Sequence, residues 1–109
     1  MINIFDIYIA DISWETDGKL RPVLVFMEKG EFVDIFSITT RYESKSETIK
    51  QKYFKIEDWQ ESGLHKQSYI DTGSRLDLPK TILEIKKPIG TLTDKDIRKF
   101  LDFLSKQLR

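Results

Sequence analysis

The chain has 109 residues, 39% of them hydrophobic and 12% aromatic, which suits a single domain over residues 1–109 with one fairly small core. Its 18 Lys and Arg balance 18 Asp and Glu; this excludes the overall positive charge that would by itself predict nucleic-acid binding, so any RNA site has to be a local patch. The absence of cysteine excludes disulfides and thiolate zinc sites. No apolar run approaches the roughly 18 to 20 residues of a bilayer span, and the start, Met1-Ile2-Asn3-Ile4-Phe5-Asp6, is not basic or signal-like, so the chain reads as soluble and cytoplasmic.

Ile4 to Ile12 alternates, with Phe5, Ile7 and Ile9 on one face and Asp6, Tyr8 and Ala10 on the other, which predicts a strand with one buried side. Asp17-Gly18 supplies a turn, and the continuous apolar run from Val23 to Met27 predicts a strand covered on both faces. Pro22 fits that strand's first position, where a missing N–H is tolerated. Lys29-Gly30 turns the chain into Phe32 to Thr39, completing a meander of three antiparallel strands.

Arg41 to Lys50 is nearly devoid of apolar residues and reads as an exposed loop, the kind of segment where binding residues tend to sit. Lys52 to Ile56 resumes a strand pattern, residues 56–63 read as a short helix or turn ended by Gly63, and Ser68 to Thr72 is a further short strand. Ser74 to Pro79 is ambiguous, and Ile82 to Ile85 fits either strand or a helical turn stopped before Pro88. Thr93-Asp94-Lys95-Asp96 resembles a capping box with Asp in place of Glu, and Ile97, Phe100, Leu101, Leu104 and Leu108 follow at helical spacing. The opposite face of this helix carries Lys95, Arg98, Lys99, Asp102 and Lys106 and reads as a solvated surface. The expected architecture is mainly β with a C-terminal helix: a small coiled antiparallel sheet or SH3-like barrel closed by that helix.

The chemistry-bearing residues cluster at strand ends. Arg21 precedes a buried strand, while Ser37, Thr39, Thr40 and Arg41 stand where the following strand leaves the sheet. A guanidinium presents a rigid fork of donors to phosphoryl oxygens, and a hydroxyl can donate to a neighbouring oxygen as negative charge builds. Convergence of the two on one phosphate suggests phosphodiester chemistry without a metal. The plainer reading pairs Arg21 with Asp6 or Asp11 at a strand end and leaves the threonines as ordinary β-branched strand residues. Ser37 is two residues from Thr39 and shares its face. Arg41, Lys45 and Lys52 are candidates for lining an RNA groove, and Trp14 for stacking on a base. Trp59 reads as packing on the sheet edge or serving a partner, and His65, the only histidine, as a surface residue.

The order Asp6-Ile7-Tyr8-Ile9-Ala10-Asp11, Leu20-Arg21-Pro22-Val23-Leu24-Val25, Ser37-Ile38-Thr39-Thr40-Arg41, Gly63-Leu64 before Ser68, and Ile89-Gly90-Thr91-Leu92 ahead of the last helix resembles the MazF/PemK-type toxins of bacterial toxin–antitoxin systems. The resemblance spans nearly the whole chain, and its most specific element is the Arg-Pro-Val-Leu-Val strand after an Asp-containing first strand. It implies a PemK/CcdB-like fold and a homodimeric endoribonuclease that needs no metal or other cofactor. Such an enzyme cuts single-stranded RNA by attack of the RNA's own 2′-hydroxyl, leaves a cyclic phosphate, and is neutralised by a cognate antitoxin whose acidic or hydrophobic tail fills the RNA groove. The family's catalytic arginine and threonine map onto Arg21 and Thr39. A guanidinium keeps its proton in proteins and is a poor general base, so the base stays unassigned.

Three departures from the family accompany the resemblance. Phe5 stands where the family usually has Gly before the first-strand Asp, and the loop from about Ser13 to Leu20, which in the family gates the RNA groove, is short. The usual Gln-Ile-Arg-Thr run is missing; Ser74-Arg75-Leu76 is a loose counterpart that makes Arg75 a candidate RNA contact. The alternative function is a non-catalytic module of the same fold, either a toxin directed at a protein such as a DNA topoisomerase or a lapsed toxin kept as a binding domain.

Overall fold

A computed structural model describes residues 2–12 and 20–108. Among them, β1 (Asp6–Asp11), β2 (Leu20–Lys29), β3 (Phe32–Thr39), β4 (Tyr53–Lys55), β5 (Tyr69–Pro79) and β6 (Gly90–Thr91) form one antiparallel sheet in the order β4-β5-β3-β2-β1-β6. The sheet is open, ending at β4 and β6, so of the two expected forms the coiled sheet is realised and the closed barrel is not. Three helices join it: α1 (Glu47–Lys50), α2 (Lys80–Glu84) and α3 (Asp94–Gln107).

The β1-β2-β3 meander forms as expected. Val23, Leu24 and Val25 are fully buried because β2 sits between two strands with core on both faces. Pro22 lies inside β2 rather than at its start, but β3 pairs with β2 only from Val23 onward, so Pro22 has a partner strand on one side only. The first strand departs from the one-sided expectation. Ile7 packs with the core beneath α3 while Tyr8 and Ala10 enter the core beneath α2, since β1 is flanked by β2 and β6 and covered above and below. The Asp17-Gly18 turn and Trp14 lie outside the described residues.

Two cores therefore divide the sheet's faces. On one, Phe36, Phe54 and Phe26 surround Phe100 of α3 in edge-on contacts with ring centroids 5.7, 5.3 and 6.2 Å away, a preferred aromatic geometry. On the other, Val23, Val25, Val33 and Ile35 pack with Leu83 of α2. The ambiguous stretch after Thr72 continues as strand, so β5 runs unbroken to Pro79, but its register against β3 shifts between Phe36, opposite Arg75, and Ser37, opposite Asp71. Ile82 to Ile85 resolves as the helical turn α2 and the residue that follows it.

Thr93 caps α3, its hydroxyl accepting the Asp96 amide at 3.3 Å. Asp96 does not complete a capping box. Its buried carboxylate instead accepts the amides of Glu57 and Asp58 at 3.3 and 2.8 Å, tying the 56–63 turns to the helix. Of the expected apolar face, Phe100 is buried and Ile97 and Leu104 pack against the core, whereas Leu101, turned about 100° around the helix from Phe100, and Leu108, just beyond the helix end, are exposed. The charged face is solvent-exposed and laced by Lys95–Asp58, Lys99–Glu57 and Lys106–Asp102 pairs.

Backbone constraints hold the two ends of the sheet together. Gly63 (φ +89°) approaches Ile89 so closely that a Cβ would lie 2.1 Å from the Ile89 carbonyl oxygen. Phe5, in the position where the family usually has glycine, takes the left-handed φ of +73°, a conformation costing a non-glycine residue roughly 1–2 kcal/mol. Its amide donates to Val25 O at 2.7 Å and its carbonyl accepts from Leu92 N at 3.0 Å, so the surrounding strands impose that conformation.

Candidate functional site

The face covered by α2 does not stay dry along its whole length. Successive residues of a strand alternate faces, so beyond Val23 the same side of β2 carries Arg21, and beyond Ile35 the same side of β3 carries Ser37 and Thr39. Cross-strand pairing adds Asp71 of β5 opposite Ser37, Tyr53 of β4 opposite Asp71, and Tyr69 opposite Thr39. Helix α2 does not reach this end, and the face opens into a cleft of about 250 Å³ lined by Arg21, Ser37, Thr39, Arg41, Lys45, Tyr53, Asp71 and Ser74.

The hydroxyls of the cleft are oriented. Thr39 Oγ1 accepts the Arg41 amide at 3.1 Å, which leaves its own O–H to donate elsewhere. Ser37 and Ser74 share a hydrogen bond at 3.1 Å across β3 and β5. Asp71 Oδ1 accepts the Gly73 amide at 2.9 Å. Burial pushes the Asp71 carboxyl above the usual aspartate value, against the Gly73 amide and the charges of Lys45 and Lys52, which pull it down. Burial and the neighbouring Asp71 charge likewise raise the Tyr53 phenol. Beside the cleft, Tyr69 stacks on Tyr42 with centroids 4.3 Å apart and rings inclined by 9°, and the Lys50 ammonium lies 4.9 Å from the centre of the Tyr42 ring. This stack fixes the 41–50 segment, which carries the Ser46-capped helix α1, against β5.

Of the residues singled out from sequence, the structure thus brings Arg21, Ser37, Thr39, Arg41 and Lys45 to one cleft, with Lys52 close enough for its charge to act on Asp71, and leaves Thr40 and Arg75 elsewhere. Thr40 is exposed and lines a separate, largely apolar groove of about 560 Å³ with Ile9, Pro22, Leu64, His65 and Ile89. Arg75 lies on the sheet face covered by α3, its guanidinium bonded to Asp34 at 2.5 and 3.1 Å and resting 5.2 and 5.9 Å from the centres of the Phe26 and Phe36 rings. Trp59 packs against the α3-side core. Asp71, Tyr53 and Ser74 are polar cleft residues that sequence reasoning missed; for Asp71 the one available signal was a carboxylate set inside the strand-like run Tyr69-Ile70-Asp71-Thr72. Among the described residues there is no group of three or more His, Asp or Glu side chains that could hold a metal ion, and no helix long and apolar enough to cross a membrane.

No family model matches the sequence, and no curated protein matches it. Solved structures do match the fold. The chain is similar to the Mycobacterium tuberculosis toxin MazF-mt6, with a TM-score of 0.69 over 93% of each chain and 19% sequence identity. The fold is therefore that of a MazF-type toxin.

Proposed function

We propose that this protein is an endoribonuclease toxin that cleaves single-stranded RNA without a metal. The observation that carries this reading is the gathering of Arg21, Ser37 and Thr39 around one cleft rimmed by Arg41 and Lys45, within a MazF-type fold. The 2′-oxygen of a ribose attacks the adjacent phosphorus, the bond to the 5′-oxygen breaks, and a cyclic phosphate remains. Arg21 offers forked donors to the phosphoryl oxygens, where negative charge accumulates. Thr39, its oxygen already engaged by the Arg41 amide, directs its O–H to the same oxygens. Arg41 and Lys45 attract the flanking backbone phosphates.

In this reading the protein acts in the cytoplasm as a homodimer and is held inactive by an antitoxin that occupies the cleft. The test is cleavage of a long single-stranded RNA by purified protein in excess EDTA, beside Arg21→Ala and Thr39→Ala. Cuts should persist in the chelator and slow by about 10²-fold or more in each variant, the usual effect of removing one transition-state donor. Cuts that vanish with EDTA, or variants as fast as the parent, would overturn the reading. A monomeric mass in light scattering at micromolar concentration would remove the dimer.

A further inference from the structure

A carboxylate sits among the cations of the cleft, and the phosphate-binding role assigned to the others does not account for it. Asp71 is half-buried at the centre of the polar face, opposite Ser37 on one side and Tyr53 on the other. Among the described residues, the other charged groups that line the cleft with it or act on its carboxyl are cations: Arg21 from β2, and Arg41, Lys45 and Lys52 from the segment between β3 and β4. As a binding element it works in the wrong direction, because a negative charge in the cleft repels the phosphate that the cations attract.

Its geometry suits proton transfer instead. Oδ1 is fixed by the Gly73 amide at 2.9 Å, while Oδ2 accepts no hydrogen bond from the described residues. Gly73 keeps this arrangement open, since a Cβ there would lie 3.3 Å from Asp71 Oδ1 and 3.2 Å from Lys52 Cδ. Resting on the ribonuclease reading above, we propose that Asp71 is the general base of the reaction, accepting the 2′-hydroxyl proton as the 2′-oxygen bonds to phosphorus. The electron pair of the breaking P–O5′ bond leaves with the 5′-oxygen, which takes a proton from water. Arg21 and Thr39 stabilise the charge on the phosphoryl oxygens, and Asp71 supplies the step that a guanidinium performs poorly. Burial of Asp71 favours this role, because a carboxyl raised above its ordinary value is a stronger base.

The experiment compares parent and Asp71→Asn in two measurements. Cleavage of one RNA is followed as kcat across pH 4–8, and binding of single-stranded DNA of the same sequence, which lacks the nucleophile, is measured alongside. The expected result is a fall in kcat of about 10²-fold or more, loss of the parent's acid limb from the pH profile, and DNA binding unchanged or tighter. Because lost chemistry and tightened binding move in opposite directions, a merely structural or electrostatic role does not reproduce the pattern. The proposal is overturned if Asp71→Asn cuts as fast as the parent or faster, if the acid limb survives the substitution, or if DNA binding is lost with the activity. A parent protein that cuts no RNA brings down the ribonuclease reading itself, whereas an active parent with an equally active Asp71→Asn brings down only the assignment of the base.

Discussion

Replacing Arg75 with Gln separates a structural role for this arginine from a role in RNA contact. The Asp34 side chain is 1% exposed, and its carboxylate is held by Arg75 and by Lys29 at 3.1 Å. Burial alone would push this carboxyl up, but the hydrogen bonds and charges of the two cations together outweigh burial and hold it below the usual aspartate range. Removing one partner of a buried pair typically costs about 3–5 kcal/mol. Here Lys29 remains and Arg75 is itself nearly half exposed, so the expected loss for Arg75→Gln is about 2 kcal/mol, or roughly 8–16 °C in Tm for a domain of this size.

Asp34 also sets the pH dependence of that loss. Its folded-state pKa lies below its unfolded value, so the stability it contributes is fully present above about pH 4 and is lost as pH falls through the folded pKa. In Arg75→Gln the burial effect gains ground, the carboxyl takes up a proton at higher pH, and the variant is spared the charged form in acid. The gap between parent and variant should be widest near pH 7 and narrow below about pH 4. Thermal unfolding followed by circular dichroism at both pH values measures it, and the double variant Asp34→Asn/Arg75→Gln should recover much of the loss. A penalty below about 0.5 kcal/mol, or one of equal size in acid, would refute the argument. An Arg75→Gln protein that is stable but cuts RNA poorly would make Arg75 an RNA contact instead.

Substitutions at four further positions probe the frame around the site. Gly63→Ala should prevent accumulation of folded protein, since its Cβ would fall 2.1 Å from a backbone oxygen, whereas Gly30→Ala, at φ +61° with open space around it, should cost only about 1 kcal/mol in a denaturant titration. Equal losses at the two glycines would contradict the steric account. Asp96→Ala should destabilise by about 2–3 kcal/mol and speed hydrogen exchange at the Glu57 and Asp58 amides that its carboxylate accepts, and unchanged exchange there would refute that tie. At Phe5 the order of stability should be parent, then Phe5→Gly, then Phe5→Ala: both variants lose the ring's packing on Phe26, but only glycine is relieved of the left-handed strain, by about 1 kcal/mol. An alanine variant more stable than the glycine variant would show that the backbone there is unstrained.

The parts of the fold legible in the sequence are those whose pattern is local. β2 and β3 show as apolar runs bracketed by Lys29-Gly30, and α3 shows as a capped amphipathic segment. Where a residue serves a partner distant in sequence, the local pattern misleads. Asp96 has capping-box spacing but turns to the 56–63 segment, and β5 looks broken at Thr72-Gly73-Ser74 because its register slips there while the strand continues. The same division runs through the site. Arg21, Ser37 and Thr39 come from adjacent strands of a meander and stand at recognisable strand ends, whereas Asp71 and Tyr53 join them through pairings among β3, β4 and β5 that no local periodicity reveals.

Neutral composition and a cationic site are compatible because the charges are segregated by the fold. Lys95, Lys99 and Lys106 are spent on acids along α3 and the adjoining turns, Lys80 meets Glu28 at 2.7 Å, and Lys29 and Arg75 share Asp34. Arg41, Lys45 and Lys52 form no salt bridge with the described residues, and two of them line the cleft. At physiological ionic strength a charge is screened beyond about 8 Å, so the balanced pairs on α3 do little to cancel the field at the far end of the other sheet face. The register shift at Phe36 and Ser37 falls where the dry face gives way to the wet one, as expected of a bulge that re-aims side chains beside a site. It turns Ser74 toward Ser37 and leaves Asp71, on the near side of the shift, in register with Ser37 and Tyr53. An irregularity in one strand thus sets a single carboxylate beside Arg41, Lys45 and Lys52, cations that form no salt bridge with the described residues.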